Sequence, residues 1–307
     1  MFQTIVKIFL LVIITAAITP FIRKLAFVLG AVDNPNARRI NKKPMPTIGG
    51  LAIFVAFNIG EFVLLRKDFP THELFSVLLA SSVIILTGLI DDILELKPRQ
   101  KMFGIFIASL VVYFLAGIKV RELSLPLLGH LQLGWWSFPL TIFWILALTN
   151  AVNLIDGLDG LATGVTLISL VTMGIVGFFF LKSWQHYVPI MCIMLAACLL
   201  GFLPYNFHPA KIFLGDTGAL YIGFMISVFS LKGLKNVTFV SLLVPILILG
   251  VPITDTVYAM IRRKLNKKNI SQADKHHLHH QLMRMGLTHR QTVLAIYGIS
   301  LIFSFVR

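Results

Sequence analysis

The stretch WSFPLTIFWILALTNAVNLIDGLDG, residues 136–160, runs uncharged through Ile155 and then sets Asp156 and Asp159 among glycines. About 20 apolar residues are what an α-helix needs to cross a hydrocarbon core roughly 30 Å thick. Working outward, comparable apolar runs lie at approximately 2–22, 48–65, 73–90, 102–118, 162–181, 188–205, 217–231, 238–260 and 291–306. Backbone polar groups in lipid must bond within their own segment, so these runs predict helices. A barrel would show short alternating segments instead. The chain reads as an all-α polytopic integral membrane protein with about ten transmembrane helices, forming a single membrane-embedded domain over 1–307.

Composition agrees. Hydrophobic residues make up 57% of the 307 residues and charged ones 13%, against roughly 25% charged in an average soluble domain. The formal charge of +14 sits in short clusters between apolar runs, which fits membrane orientation and not a nucleic-acid surface. One set of alternate loops holds Arg23, Lys24, Arg38, Arg39, Lys42, Lys43, Lys97, Arg99, Lys101, Lys211 and the basic stretch Arg262 to Arg290. The positive-inside rule makes that side cytoplasmic and puts both termini outside. The first run, Phe2 to Ile22, lacks a convincing cleavage site and reads as a retained helix. On the other side, Lys119 to Trp135 predicts a structured turn with an interfacial aromatic anchor. Cys192 and Cys198 share one apolar run, where buried small hydrophobes are the simplest reading.

The acids choose one face. Asp91 and Asp92 follow the third run, Asp156 and Asp159 the fifth, and Asp216 precedes the eighth, so all five fall at the cytoplasmic edge. A carboxylate at bilayer depth costs about 2.5 to 3.5 kcal/mol, so acids there are expected to be paired, hydrated or functional. Alone, Asp91–Asp92 reads as a solvated helix end; Lys97, Arg99 and Lys101 nearby add cationic partners for phosphate. Asn153, Asp156 and Asp159 are three residues apart, a spacing that aligns them on one helical face. In YNFHPAKIFLGDTG, residues 205–218, Asn206 and Asp216 are hard oxygen donors suited to Mg²⁺, while Phe213 is placed either to stack on a base or to pack at the interface. Four histidines in HHLHH, 276–280, follow Ser271 and Asp274, whose spacing is that of a capping box opening a short helix. Zinc is their rival reading, but no cysteine or close glutamate completes a usual zinc set. His72, His130, His186, His208 and His289 are isolated and read as structural or interfacial.

Five motifs in order, Pro46-Thr-Ile-Gly-Gly50, Gly88-Leu-Ile-Asp-Asp92, Asn153-Leu-Ile-Asp-Gly-Leu-Asp-Gly160, Phe213-Leu-Gly-Asp-Thr-Gly218 and HHLHH, resemble those of the polyprenyl-phosphate N-acetylhexosamine-1-phosphate transferases across nearly the whole chain. The resemblance implies a ten-helix fold in the bacterial cytoplasmic membrane, a cytoplasmic active-site cleft, Mg²⁺ (with Mn²⁺ as the alternative), a UDP-sugar donor and an undecaprenyl phosphate acceptor. It implies Asn153 and Asp216 as metal ligands, and Asp91, Asp92 and Asp156 as catalytic carboxylates, with Asp91 the base. Gly157, Leu158, Asp159, Asn206 and Phe213 match the nucleotide pocket, and Lys101, His277, His279 and His280 match contacts to donor phosphate or sugar. The HHLHH form is similar to the branch using UDP-N-acetylglucosamine, within it to enzymes starting wall teichoic acid linkage units. A homodimer is compatible with the sequence, which does not fix the oligomeric state.

Phosphoryl transfer asks a protein mainly to position groups in line and to stabilise spread charge, which such loops offer. A transporter would gather polar groups near the bilayer midplane rather than at one edge. A phosphatidyl-alcohol transferase would need an arginine after Ala162 and further paired aspartates, and a scaffold leaves the acids unexplained.

Overall fold

The computed structural model describes residues 2–34, 44–64, 71–125, 129–180, 187–233 and 278–305. Its helices are α1 (Phe2–Leu29), α2 (Gly49–Ile59, continued by a π-helical turn, Gly60–Leu64), α3 (Thr71–Leu94), α4 (Pro98–Phe114), α5 (Ser137–Ile155), α6 (Leu161–Phe180), α7 (Tyr187–Asn206), α8 (Gly215–Gly233), α9 (Leu278–Arg284) and α10 (His289–Phe305). Two short antiparallel pairs join them, β1 (Val32–Asp33) with β2 (Met45–Pro46) and β3 (Glu122–Leu125) with β4 (Gly129–Gln132). Five described segments are long and apolar enough to cross a membrane: Gln3–Leu29, Thr71–Leu94, Gly134–Ile155, Leu161–Phe179 and Tyr187–Asn206. Phe9, Phe21, Phe143 and Ile302 point outward and exposed, as side chains do where hydrocarbon replaces water as solvent.

Helix α8 is the hub. Tyr221, Phe224 and Phe229 are fully buried, and α2, α3, α5, α6 and α7 all pack against it. Small residues let the backbones close up around its first turn, the usual device where lipid supplies no hydrophobic drive. A Cβ on Gly50 would stand 2.1 Å from the Gly218 Cα, and one on Gly88 would stand 2.4 Å from the Thr217 Cα. The beginnings of α2 and α8 and the end of α3 therefore meet in one place. At the opposite end the bundle is pinned by Lys232, in the last turn of α8, which ion-pairs with Glu73 in the first turn of α3. Lys232 is buried and lies 4.3 Å from the Tyr187 ring centroid.

Nine of the ten expected segments are helical among the described residues, and the run at 238–260 lies outside them. Several ends differ from the sequence reading. Helix α3 continues through Asp91 and Asp92 to Leu94, because the polar turn at its end is covered by the chain that follows: the Leu96 amide donates to Asp91 Oδ1 at 2.7 Å. Helix α4 starts early, at Pro98, with Gln100 Oε1 accepting from the Lys97 amide. Asp216 lies inside the first turn of α8 rather than before it. Between α4 and α5 the β3–β4 hairpin and a 3-10 turn form the expected structured connection, with Trp135 and Trp136 exposed.

Candidate active site

The ends of α1, α3, α5 and α7 and the beginnings of α2, α4, α6 and α8 surround a cleft of about 500 Å³. Its lining includes Asp91, Asp92, Lys101, Asn153, Asp156, Gly157, Leu158, Asp159, Asn206, Phe213 and Asp216, so eleven sequence-predicted residues converge. His277 lies outside the described residues; His279 and His280 fall on the backbone of α9.

Lys101 stands at the centre. Its Nζ is 2.6 Å from Asp91 Oδ2 and 3.1 Å from Asp216 Oδ1, so one ammonium holds the end of α3 to the beginning of α8. Asn153 Nδ2 donates to the same Asp216 oxygen. Asp91 is only 5% exposed, which leaves its carboxylate dependent on Lys101 and the Leu96 amide for solvation. Asp92 has a different task. Its Oδ1 accepts from the Asp216 amide at 3.0 Å, and its Oδ2 accepts from the Thr217 amide at 3.0 Å and the Thr217 hydroxyl at 2.5 Å. A carboxylate from another helix thus caps α8, satisfying amides that begin a helix without internal partners.

The DGLDG segment departs from the expected alignment. Helix α5 stops at Ile155 and Asp156 takes φ −75° and ψ 52°, so Asn153, Asp156 and Asp159 do not share a helical face. They share the cleft instead, and the chain then turns through Gly160 at φ +79° into α6. Burial, and then the nearby Asp216, Asp92 and Asp159, push the Asp156 carboxyl well above the usual carboxylate range. Asp159 Oδ2 accepts from His208 Nδ1 at 2.9 Å and from the Ala210 amide at 3.2 Å. His208 in turn stacks on His289, with centroids 4.1 Å apart. Neither histidine is isolated, a correction to the sequence reading: their partners are distant in the chain and become neighbours only when α10 packs beside α6. Asn206 is buried, accepting from Thr163 Oγ1 at 2.7 Å and donating to the Ile212 carbonyl at 3.2 Å. Phe213 is held through its backbone: its amide donates to Pro46 O at 2.8 Å, and its carbonyl accepts from the Gly49 amide at 3.1 Å. Gly215, at φ +72°, could carry no side chain, since a Cβ would sit 1.5 Å from Thr47 O.

Asp33 and Glu95 also line the cleft and were missed in the sequence motifs. Asp33 is the sole acid before Glu61, a signal present in the sequence. Seven acidic residues and one basic residue are among the described lining, a balance that repels anionic ligands unless cations enter with them.

Comparison with known proteins gives the same direction. The family model for glycosyl transferase family 4 matches residues 74–234. The chain is 45% identical, over 94% of its length and 79% of the relative's, to the probable undecaprenyl-phosphate N-acetylglucosaminyl 1-phosphate transferase of Bacillus subtilis. It is 34% identical to the decaprenyl-phosphate N-acetylglucosaminephosphotransferase of Mycolicibacterium smegmatis, over 93% of this chain and 76% of that one. It is 32% identical to a phospho-N-acetylmuramoyl-pentapeptide-transferase of Clostridium botulinum, over 94% of this chain and 89% of that one. A family model covering α3 to α8, and relatives aligned over nearly the full chain, establish that this membrane protein belongs to glycosyl transferase family 4, a family of sugar-phosphate transferases.

Proposed function

We propose that the protein transfers N-acetylglucosamine 1-phosphate from UDP-N-acetylglucosamine to undecaprenyl phosphate, forming undecaprenyl-diphospho-N-acetylglucosamine and UMP. The observation carrying this reading is the convergence of Asp91, Lys101, Asn153 and Asp216 from four helices into one cleft. The name of the 45% identical relative, a probable undecaprenyl-phosphate N-acetylglucosaminyl 1-phosphate transferase, supports the acceptor and the transferred group. By the positive-inside distribution the cleft faces the cytoplasm, and both chain ends lie outside. The chain acts as a single membrane-embedded domain at the first membrane step of a surface glycan such as wall teichoic acid.

An oxygen of the lipid phosphate attacks the sugar-bearing phosphorus of the donor. The bond from that phosphorus to the bridging oxygen breaks, and the oxygen leaves with UMP. A lipid phosphate has a second pKa of about 6, so little basicity is asked of the protein. Asp91, beside Lys101, takes any remaining proton and orients the nucleophile. Lys101, already between two carboxylates, turns its ammonium to the donor diphosphate. Asp92 keeps Asp216 in place by capping α8. Phe213, Asp159 and the backbone at Gly157 and Leu158 receive the nucleoside, and the histidines at 277, 279 and 280 close on phosphate or sugar.

The donor set fits a hard divalent cation. Asp216 and Asn153 would offer oxygens, once the Asn153 amide turns its carbonyl inward, in a lining where, among the described residues, seven acids face one lysine. Bound there, Mg²⁺ or Mn²⁺ supplies charge neutralisation for the two phosphates. The test mixes purified protein, labelled UDP-N-acetylglucosamine, undecaprenyl phosphate and Mg²⁺, and measures UMP with lipid-linked sugar. Absence of both products in a folded preparation refutes the reading.

A further inference from the structure

The cluster Asp159, His208 and His289 joins three elements at the rim of the cleft. Asp159 comes from the turn after α5, His208 from the turn after α7, and His289 from the first residue of α10. A carboxylate can only accept, so His208 Nδ1 carries the proton of the 2.9 Å bond to Asp159 Oδ2. The Ala210 amide adds a second bond to the same oxygen, which leaves the other oxygen of Asp159 to the cleft that it lines. His208 is fixed in turn. Its ring lies against His289 at 4.1 Å and 19° between planes, and its carbonyl accepts from Arg290 Nε at 3.1 Å.

Helix α10 grips the other lip as well. The Tyr297 hydroxyl donates to the Gly160 carbonyl, and its ring fills the space over Gly164, where a Cβ would come within 1.9 Å of it. His289, Arg290 and Tyr297 thus hold both turns that flank the cleft. A cation cage is the rival reading of two histidines and a carboxylate. Nearly parallel rings at this separation cannot both present a nitrogen to one ion within their planes, so the geometry suits a stack and not a cage.

We infer that His208 is a positioning residue for the donor nucleotide: stacked on α10, it aims the Asp159 carboxylate into the cleft. This rests on the proposed donor reading, in which Asp159 faces the nucleoside. Two substitutions separate its bonds. His208→Asn keeps a donor near Nδ1 and loses the ring; His208→Phe keeps the ring and loses the donor.

The experiment measures steady-state constants for UDP-N-acetylglucosamine and undecaprenyl phosphate, and UMP affinity by calorimetry, on detergent-purified full chain. A hydrogen bond to a charged group is worth about a factor of 10 or more in affinity. His208→Phe is therefore expected to raise donor KM and UMP Kd about 10-fold, leaving kcat and acceptor KM within about threefold. His208→Asn is expected to stay within about threefold of the parent in all four. In an Asp159→Asn background, His208→Phe should add nothing further to donor KM, because its action runs through that carboxylate. An unchanged donor KM in His208→Phe, or fully additive effects in the double variant, overturns the inference. If His208→Phe does not fold, His208→Ala against His208→Asn decides on the same readouts. A parent protein that binds UMP yet makes no lipid-linked sugar refutes the proposed reaction, whereas UMP affinity still decides the role of His208.

Discussion

Replacing Asp92 by alanine separates a structural anchor from a chemical group. Its carboxylate accepts two backbone amides and one hydroxyl from the first turn of α8, and among the described residues no cation holds it as Lys101 holds Asp91. Losing a helix cap costs about 0.5 to 2 kcal/mol, and hydrogen bonds to a charged group are worth about 1.5 to 3 kcal/mol each. Asp216 lines the cleft whereas Thr217 is fully buried, so only one of the freed amides can turn to solvent and the total is about 2 to 4 kcal/mol. Asp92→Asn keeps one good acceptor and loses the favourable charge at the helix start, about 0.3 to 1 kcal/mol. Activity should follow stability here, because Asp216 rides on the same turn and a displacement of about 1 Å is enough to cost on the order of 100-fold. Thermal melting in detergent beside UMP release checks both. Expected are a large drop in midpoint and turnover for alanine, and a small drop in each for asparagine. An Asp92→Ala protein that melts like the parent while making no product would show that the carboxylate acts on substrate, and the anchor argument would fail.

Asp91→Asn should lower turnover by about 100-fold or more while membrane insertion and melting stay near the parent values, since the amide can still accept from Leu96; undiminished UMP release would remove Asp91 from the chemistry. Chelation with EDTA should stop product formation and Mg²⁺ or Mn²⁺ should restore it, whereas full turnover in chelator would refute the cation requirement read from seven acids and one base. Gly215→Ala meets Thr47 O at 1.5 Å and a disfavoured φ of +72°, so a loss of at least about 2 kcal/mol and of turnover is expected; a parent-like melting curve would contradict the packing. Lys232→Met removes the ion pair at the far end of the bundle; Glu73 is partly exposed and keeps the Tyr187 hydroxyl at 3.5 Å, so a loss of about 1 kcal/mol is expected, with kcat of the folded fraction unchanged, and a changed kcat would mean that the two ends communicate.

Much of this could be read along the chain because lipid imposes a strong rule: long uncharged runs must be helices, and acids beside them need a reason. Asp91, Asp156 and Asp216 stood out on that ground together with their neighbours, since Asp91 alone reads as a solvated helix end until Lys97, Arg99 and Lys101 are set beside it. What the chain order hid was partnership. Asp92 looks like a twin of Asp91, yet one ion-pairs with Lys101 and the other caps a helix 124 residues away. Periodicity put Asn153, Asp156 and Asp159 on one face, but glycines ended the helix at Ile155, and tertiary packing brought the same residues together by another route. His208 and His289 offered no local signal, since each gains meaning only from the other and from Asp159.

The site's charge links these observations. Among the described lining residues only Lys101 is basic, while the proposed nucleotide sugar and lipid phosphate would together bring at least three negative charges to the cleft. Coulomb repulsion at such range in a half-buried site amounts to several kcal/mol per pair, so positive charge must arrive with the ligands. Two sources are proposed: a divalent cation held by the oxygens of Asp216 and Asn153, and the basic residues that the sequence carries between Arg262 and Arg290. On the proposed reading the acids would serve as a selectivity device, turning away an anion unaccompanied by a metal. A polyanion lacking metal affinity should therefore inhibit weakly at low ionic strength, and a metal-chelating diphosphate strongly.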